Sequence, residues 1–323
     1  MSGRPSAAFL DYATLGPGVD TTRLEQIVEP KYYDESPPSE VAARVADCEI
    51  AILNKAKLGA DAIKGATRLK LIALVATGSD NVDLAAAKER GVAVVNIRDY
   101  CSTAVAQHVF ALVLGFTQQI AGYSALVRAG AWQKSRTFAM FDFPIRELTG
   151  RVLGLCGYGS LGQSVGRVGE ALGMRLMISA RPGLARADLP KDRAHFDDVI
   201  EQADVLSLHC PLTPKTRNMI GAAQLKRMKR DAILINTARG GLIDSAALVA
   251  ALKAGELAGA GIDVLTYEPP RRGDDPLLAP DVPNLIVTPH IAWAARESRQ
   301  RALDQVTENI VDFLRGGRLR RLV

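Results

Sequence analysis

Residues 152–162 read Val-Leu-Gly-Leu-Cys-Gly-Tyr-Gly-Ser-Leu-Gly, and the reading of this stretch decides the fold. Val152–Cys156 is an apolar run of strand length, and residues 163–172 that follow have helical periodicity. Between them Gly157 permits a tight turn, and Gly159 lets a ligand reach the backbone with no Cβ in the way. Gly162 lets the helix pack closely on the strand. The amides of Ser160 and Leu161 then stand at a helix N-terminus, where partial positive charge attracts phosphate. Glycines at this spacing are weak evidence alone, since an ordinary strand–turn–helix corner can carry them. A strand before and a helix after supply the setting in which they hold a dinucleotide pyrophosphate.

Working outward, the same alternation recurs on both sides. Downstream, apolar runs at 175–179, Val205–Leu208, 232–236, 260–264 and 285–288 read as further strands. Upstream, 48–54, 71–76 and 92–96 read as strands, with residues 83–90 as a helix between two of them. Strands alternating with helices predict parallel sheets covered on both faces. A long Ala/Val/Leu-rich helix at 102–117 separates the two series, with Val105, Val109, Leu112 and Phe116 on its buried stripe. A polar, aromatic connection at 130–144 follows, and one amphipathic helix, Arg296–Leu314, closes the pattern. The expected division is one domain of residues 1–99 and 294–323, discontinuous in sequence, and a second of 100–293 that binds the dinucleotide.

Composition bounds the function. The 323 residues are 48% hydrophobic and 23% charged, enough for two cores in a globular α/β protein. The net charge of +5 suits small anionic substrates, and the basic residues Arg315, Arg318, Arg320 and Arg321 read as a solvated tail, not a nucleic-acid surface. Cys48, Cys101, Cys156 and Cys210 form no CxxC pair and suggest no metal site, so they read as reduced core residues of a cytoplasmic protein. The N-terminus lacks the layout of a signal peptide, and no apolar run reaches the roughly 18 residues a membrane span needs.

A dinucleotide site expects Asp or Glu at the end of the second strand to bind the ribose hydroxyls. That position is Ala180, and Arg181 follows it. The missing carboxylate removes repulsion against a 2′-phosphate and a guanidinium can grip one, so NADP(H) is favoured over NAD(H). Were the dinucleotide to exchange hydride with a small oxo acid, the site would further need a cation for the carboxylate and a proton donor for the ketone oxygen. Of His108, His195, His209 and His290, the last stands just after an apolar strand, where the ends of parallel strands face ligand. His209 is its rival, also following a strand. His108 reads as a core histidine and His195 as an exposed one. Arg239, in the glycine-containing segment Asn-Thr-Ala-Arg-Gly-Gly, can engage a carboxylate, and Glu268 beside a histidine would favour the imidazolium. Lys55 and Trp132 could border a pocket or be structural.

These segments together resemble the D-isomer-specific 2-hydroxyacid dehydrogenases over nearly the whole chain. The marks, in order, are GYGSLG, ADVLSLHCPLTPKTRNMIG, NTARGGLID, GAGIDVLTYEPP and NLIVTPHIAW. The VAQHV segment and the HIAW ending resemble the glycerate dehydrogenase (hydroxypyruvate or glyoxylate reductase) branch. The resemblance implies two Rossmann-like, doubly wound parallel-sheet domains with an interdomain cleft that closes on substrate, and a homodimer. It implies that Arg239 binds the substrate carboxylate and carbonyl, that His290 is the acid or base, and that Glu268 is its partner. Asp263 would contact the nicotinamide carboxamide. Cys210, Pro211, Thr216, Thr237 and Ala238 would lie beside the cofactor, and Thr77 and Gly78 would hold the substrate carboxylate. The implied substrate is a small 2-oxo or 2-hydroxy acid, with phosphoglycerate, lactate-type and branched acids as alternatives to hydroxypyruvate and glyoxylate. The alternative of another class is a non-catalytic dinucleotide sensor, against which the intact Arg239, Glu268 and His290 set argues.

Overall fold

Strands buried on both faces of a parallel sheet are apolar along nearly their whole length, not at alternate positions, and the central strands of this chain follow that pattern, with Ser207 and Asn236 as buried polar exceptions. The computed structural model describes residues 3–323, which divide into two compact units, Met1–Cys101 with Ala294–Val323, and Ser102–Trp293. Unit 1 holds five parallel strands: β1 (Ser6–Phe9), β2 (Glu29–Tyr32), β3 (Ile50–Leu53), β4 (Leu71–Leu74) and β5 (Ala93–Val95), in the order β2-β1-β3-β4-β5. Successive residues of β3 point to opposite faces. Ala51 and Leu53 pack with Leu58, Ile63 and Leu74 on one side. Ile50 and Ile52 pack on the other with Phe9, Leu71 and Ala302, Leu303, Val306 and Ile310 of the Arg296–Leu314 helix.

Two features of unit 1 were not legible beforehand. β1 is only four residues long, and β2 reads Glu-Pro-Lys-Tyr. An edge strand tolerates proline and lysine because one side of its ladder is unpaired, so no apolar run announces it. The basic C-terminus is only in part a solvated tail: Arg315, Arg318 and Arg321 are exposed, but the backbone is held in place. It runs antiparallel along the outer edge of β5, with Leu322 N–H donating to Val94 O (2.7 Å) and Asn96 N–H to Arg320 O (3.2 Å). The Arg320 guanidinium donates to Asn309 Oδ1 (2.9 Å) and pairs with Glu308. Backbone pairing and a partly covered ion pair outweigh solvation of the arginine.

Unit 2 contains β6 (Val152–Cys156), β7 (Arg175–Ile178), β8 (Val205–Leu208), β9 (Ile233–Asn236), β10 (Gly259–Ile262) and β11 (Leu285–Val287), all parallel, ordered β11-β10-β9-β8-β6-β7. The chain leaves β6 for β7 at one edge, then returns to β8 on the other side of β6. The carboxyl ends at such a reversal splay their loops apart and leave a crevice for ligand. The Ser102–Gln118 helix packs on the β9–β10 side of this sheet. Its approach is close: a Cβ on Gly259 would come within 2.6 Å of the Phe116 ring, and one on Gly261 within 3.1 Å of Leu112. His108, Leu112 and Phe116 are spaced four apart and share that face.

Candidate active site

The glycine-rich turn stands at the reversal. Gly157 has φ +99°, and a Cβ there would lie 2.6 Å from the His209 carbonyl carbon and oxygen. Only glycine lets the turns after β6 and β8 touch in this way. The Ser160–Ala171 helix begins immediately afterwards, and a Cβ on Gly162 would meet Gly157 O at 2.3 Å. Among the described residues nothing stands within 4 Å of a Cβ placed on Gly159, so the amides of Ser160 and Leu161 are open to an incoming group. Around the same strand ends, Thr237 Oγ1 and His209 Nδ1 are buried without hydrogen-bond partners. A glycine cradle open to backbone amides, with unpaired polar atoms beside it, fits a dinucleotide.

The other cofactor candidates sit nearby in chain order. Thr216 Oγ1 donates to Pro211 O (2.8 Å) and accepts from Thr213 N–H (2.8 Å), folding the turn that follows Cys210. Asn236 is fully buried, accepting from Ala238 N–H (3.0 Å) and donating to Arg239 O (2.9 Å), which curls the Thr237–Ala238 segment over the end of β9. Ala180 is buried just past β7 and its N–H donates to Ala194 O (2.8 Å). Arg181 beside it is exposed. That pairing brings in Arg193, next to Ala194, whose guanidinium stacks 5.5 Å from the Tyr158 ring centre of the glycine turn. Arg193 was not singled out from sequence, because its neighbourhood depends on a loop closing back onto β7.

The three residues assigned to chemistry follow β9, β10 and β11. Gly240, after Arg239, has no room for a side chain: a Cβ would come 2.1 Å from Leu265 C. This contact sets the Arg239 segment against the Leu265–Glu268 turn. Leu265 N–H donates to Glu268 Oε1 (2.8 Å), and Glu268 Oε2 pairs with His290 Nδ1 at 2.6 Å. An ionised carboxylate can only accept, so Nδ1 carries the hydrogen and Nε2 is left as the nitrogen able to exchange one. The His290 side chain is 25% exposed, enough for contact with a small molecule. Thr77 and Gly78 belong to unit 1, just past β4, where Thr77 Oγ1 donates to Ile97 O (2.9 Å) and Asn96 Nδ2 to Thr77 O (2.8 Å).

Asp263 is the hub of the last turn. Its side chain is fully buried. Oδ1 accepts from Thr288 Oγ1 (2.6 Å) and Ile291 N–H (2.9 Å), and Oδ2 from Ala292 N–H (2.9 Å). Its carbonyl accepts from His290 N–H (2.8 Å). His290 itself has φ +56°, which a non-glycine residue adopts only when its surroundings impose it.

The other histidines separate cleanly. Burial pushes His209 down to about 4, so it is neutral near pH 7 and has no proton to give. Its Nε2 is engaged with Ser207 Oγ (2.8 Å). A buried, neutral imidazole engaged in this way is poorly placed to donate a proton. His195 is not a free surface residue: it caps the Phe196–Gln202 helix, Nδ1 accepting from Asp197 N–H. His108 is bonded, Nε2 lying 3.1 Å from Thr288 Oγ1. A cavity of about 880 Å³ lined by Arg217, Ser245, Tyr267, Glu268 and Arg271 holds neither His290 nor any residue of the glycine turn, and is a neighbouring hollow.

Comparison with known proteins gives the class. Residues 110–292 match the family described as D-isomer specific 2-hydroxyacid dehydrogenase, NAD binding domain. The chain is 48% identical over 290 residues to a glycerate dehydrogenase from Methylorubrum extorquens, covering 89% of this chain and 90% of that one. It is 35% identical over 314 residues to a hydroxypyruvate reductase from Blautia hydrogenotrophica, covering 95% and 96%. Among solved structures, the TT0316 protein from Thermus thermophilus superposes with TM-score 0.85 at 34% identity, over 98% of this chain and 100% of that one. An acyclic imino acid reductase in complex with NADPH and D-Arg superposes with TM-score 0.83 at 26% identity, over 98% and 100%. The D-lactate dehydrogenase of Lactobacillus jensenii, with NAD+, does so with TM-score 0.79 at 28% identity, over 98% and 99%. The chain belongs to the D-isomer-specific 2-hydroxyacid dehydrogenase family. It is an oxidoreductase that moves hydride between a nicotinamide dinucleotide and a small 2-oxo or 2-hydroxy acid.

Proposed function

We propose that this enzyme reduces hydroxypyruvate and glyoxylate to D-glycerate and glycolate, with NADP(H) as the preferred cofactor and a homodimer as the working form. The observation that carries the reading is the 2.6 Å His290–Glu268 pair at the ends of β11 and β10, with Arg239 following the next strand, β9. The choice of acid follows the glycerate dehydrogenase and hydroxypyruvate reductase relatives. Arg239 holds the substrate carboxylate and draws charge from the ketone. Thr77 and Gly78 supply amides to the same carboxylate. Glu268 fixes the imidazole so that His290 Nε2–H points at the ketone oxygen and releases its proton there, or recovers it in oxidation. The bound cofactor supplies or takes the hydride.

For the cofactor, Ala180 supplies no carboxylate to repel a 2′-phosphate and the exposed Arg181 follows it, while Arg193, paired with Asp192, lies against Tyr158 of the glycine turn. For the dimer, Ile120 (68% exposed), Phe138 (93%), Phe141 (85%) and Ile145 (56%) are exposed apolar side chains in one stretch of the sequence, which suits contact with a second copy. Four free thiols suit the reducing cytoplasm.

His290→Ala is expected to lower kcat for hydroxypyruvate by about 10²–10⁴-fold with the Kd for NADPH unchanged. A variant that turns over at the wild-type rate ends the proposal.

A further inference from the structure

The turn that carries His290 is poorly anchored by its own strand. β11 is three residues long, lies at the sheet edge and is only half-buried. β11 ends at Val287, three residues before His290, so the sheet ladder does not reach the imidazole. The left-handed conformation of His290 adds strain that something else must hold. The Asp263 carboxylate does part of this through Ile291, Ala292 and Thr288.

One further group completes the anchor from outside the turn. The Ser102–Gln118 helix is seated on β10 through Leu112 and Phe116, and His108 occupies the next position back on that face. Its Nε2 is 3.1 Å from Thr288 Oγ1 and 3.6 Å from Asp263 Oδ1. The donors can be assigned. The single Thr288 hydroxyl hydrogen goes to Asp263 Oδ1. The hydroxyl is then left as acceptor towards His108, whose Nε2 must carry hydrogen. The bonds run one way, from His108 Nε2–H to Thr288 Oγ1–H to Asp263.

Resting on the reading of His290 as the proton donor, we infer that His108 is a positioning residue for the reaction: acting through Thr288, it pins the His290 turn to the buried Asp263 carboxylate. It touches neither substrate nor the reacting atoms. Its work is to stop Thr288 rotating away from Asp263 and the turn from relaxing its positive φ. A displaced donor costs turnover more than binding, because the proton must be aligned only as the reaction proceeds.

The test compares four variants in the full-length enzyme with hydroxypyruvate and NADPH. His108→Leu removes the donor and is expected to lower kcat about 10-fold, with KM for hydroxypyruvate and Kd for NADPH within about twofold. His108→Gln places an amide N–H close to the Nε2 position and restores kcat to within about threefold of wild type. Thr288→Val matches His108→Leu, and the His108→Leu/Thr288→Val double variant is no slower than either single one, as expected for a shared path. A His108→Leu enzyme that melts like wild type and keeps its kcat overturns the inference, as does failure of glutamine to rescue or an additive double variant. His290→Ala, run beside them, separates the two layers. If it stays active the site reading itself fails. If it is dead while His108→Leu is fast, only the positioning role is lost.

Discussion

The two units place the same device at the same topological point and use it in opposite ways. In each, the strand order reverses beside the first strand of its own series, between β1 and β3 in unit 1 and between β6 and β8 in unit 2. Backbone amides at such a point form a nest that attracts negative charge. In unit 1 the nest is filled from within. Asp11, just past β1 and 4% exposed, accepts from Asn54 N–H (2.9 Å), Ala56 N–H (2.7 Å) and Lys55 N–H after β3. In unit 2 no acidic side chain among the described residues intrudes, and three glycines keep the turn narrow and its amides open. Whether a doubly wound sheet closes on itself or receives an anionic ligand thus turns on one carboxylate against a few missing Cβ atoms.

This contrast can be broken from either side. Gly157→Ala adds a Cβ against the His209 backbone at a positive φ, with an expected cost of about 3 kcal/mol. Felt at the ligand site, that equals on the order of 100-fold in NADPH affinity by fluorescence titration. Retention of wild-type affinity would show that the turn has slack. Asp11→Ala leaves three amides of unit 1 without their acceptor and should lower unfolding stability in urea by about 3 kcal/mol. NADPH affinity should not change, since the internal nest has no ligand to lose. A matching drop in affinity would mean that the two nests are not independent.

A third prediction concerns pH. In the unfolded chain His209 titrates near 6.5, while in the fold it is held at about 4 by burial. Between those values the unfolded chain binds the extra proton, so this stability is complete above about pH 6.5 and drains away as pH falls towards 4. The loss is roughly 1.4 kcal/mol per pH unit. His209→Gln should flatten the acid side of the stability curve measured by denaturant titration, and an unchanged slope would assign acid sensitivity elsewhere. The smallest effect sharpens the contrast at the open nest. Arg181→Ala should raise KM for NADPH about 10-fold while leaving NADH nearly untouched. Equal changes for both cofactors would remove the guanidinium from phosphate recognition.

How legible each part was follows from what shapes it. The glycine turn is specified by absences of side chains at fixed local spacing, so GYGSLG between a strand and a helix could be read directly, as could Arg239, Glu268 and His290 at strand ends. Every strand of unit 2 was visible as an apolar run. β2 was not, because an edge ladder satisfies its backbone without apolar side chains, and β1, inside the sheet, was not because Ser-Ala-Ala-Phe is too short an apolar run to stand out. The anchor of His290 was hidden for another reason. His108 and Thr288 are 180 residues apart and meet only because glycines in β10 admit the helix. Its one trace in the sequence is a polar residue on an otherwise apolar helix face opposite the Gly-Ala-Gly of β10, a trace that also suits an inert core histidine.

The Arg296–Leu314 helix sets an order of events at the ribosome. Ala302, Leu303, Val306 and Ile310 cover one face of the unit 1 sheet, yet they are translated after all of unit 2. Strands β1 to β5 therefore emerge early and wait nearly two hundred codons with that face bare, while the later-made unit has its full complement of residues first. A released chain truncated after Trp293 should yield a protease-resistant unit 2 attached to a protease-sensitive amino-terminal segment. Any chaperone contact during synthesis should concentrate on the uncovered Phe9, Ile52 and Leu71 side.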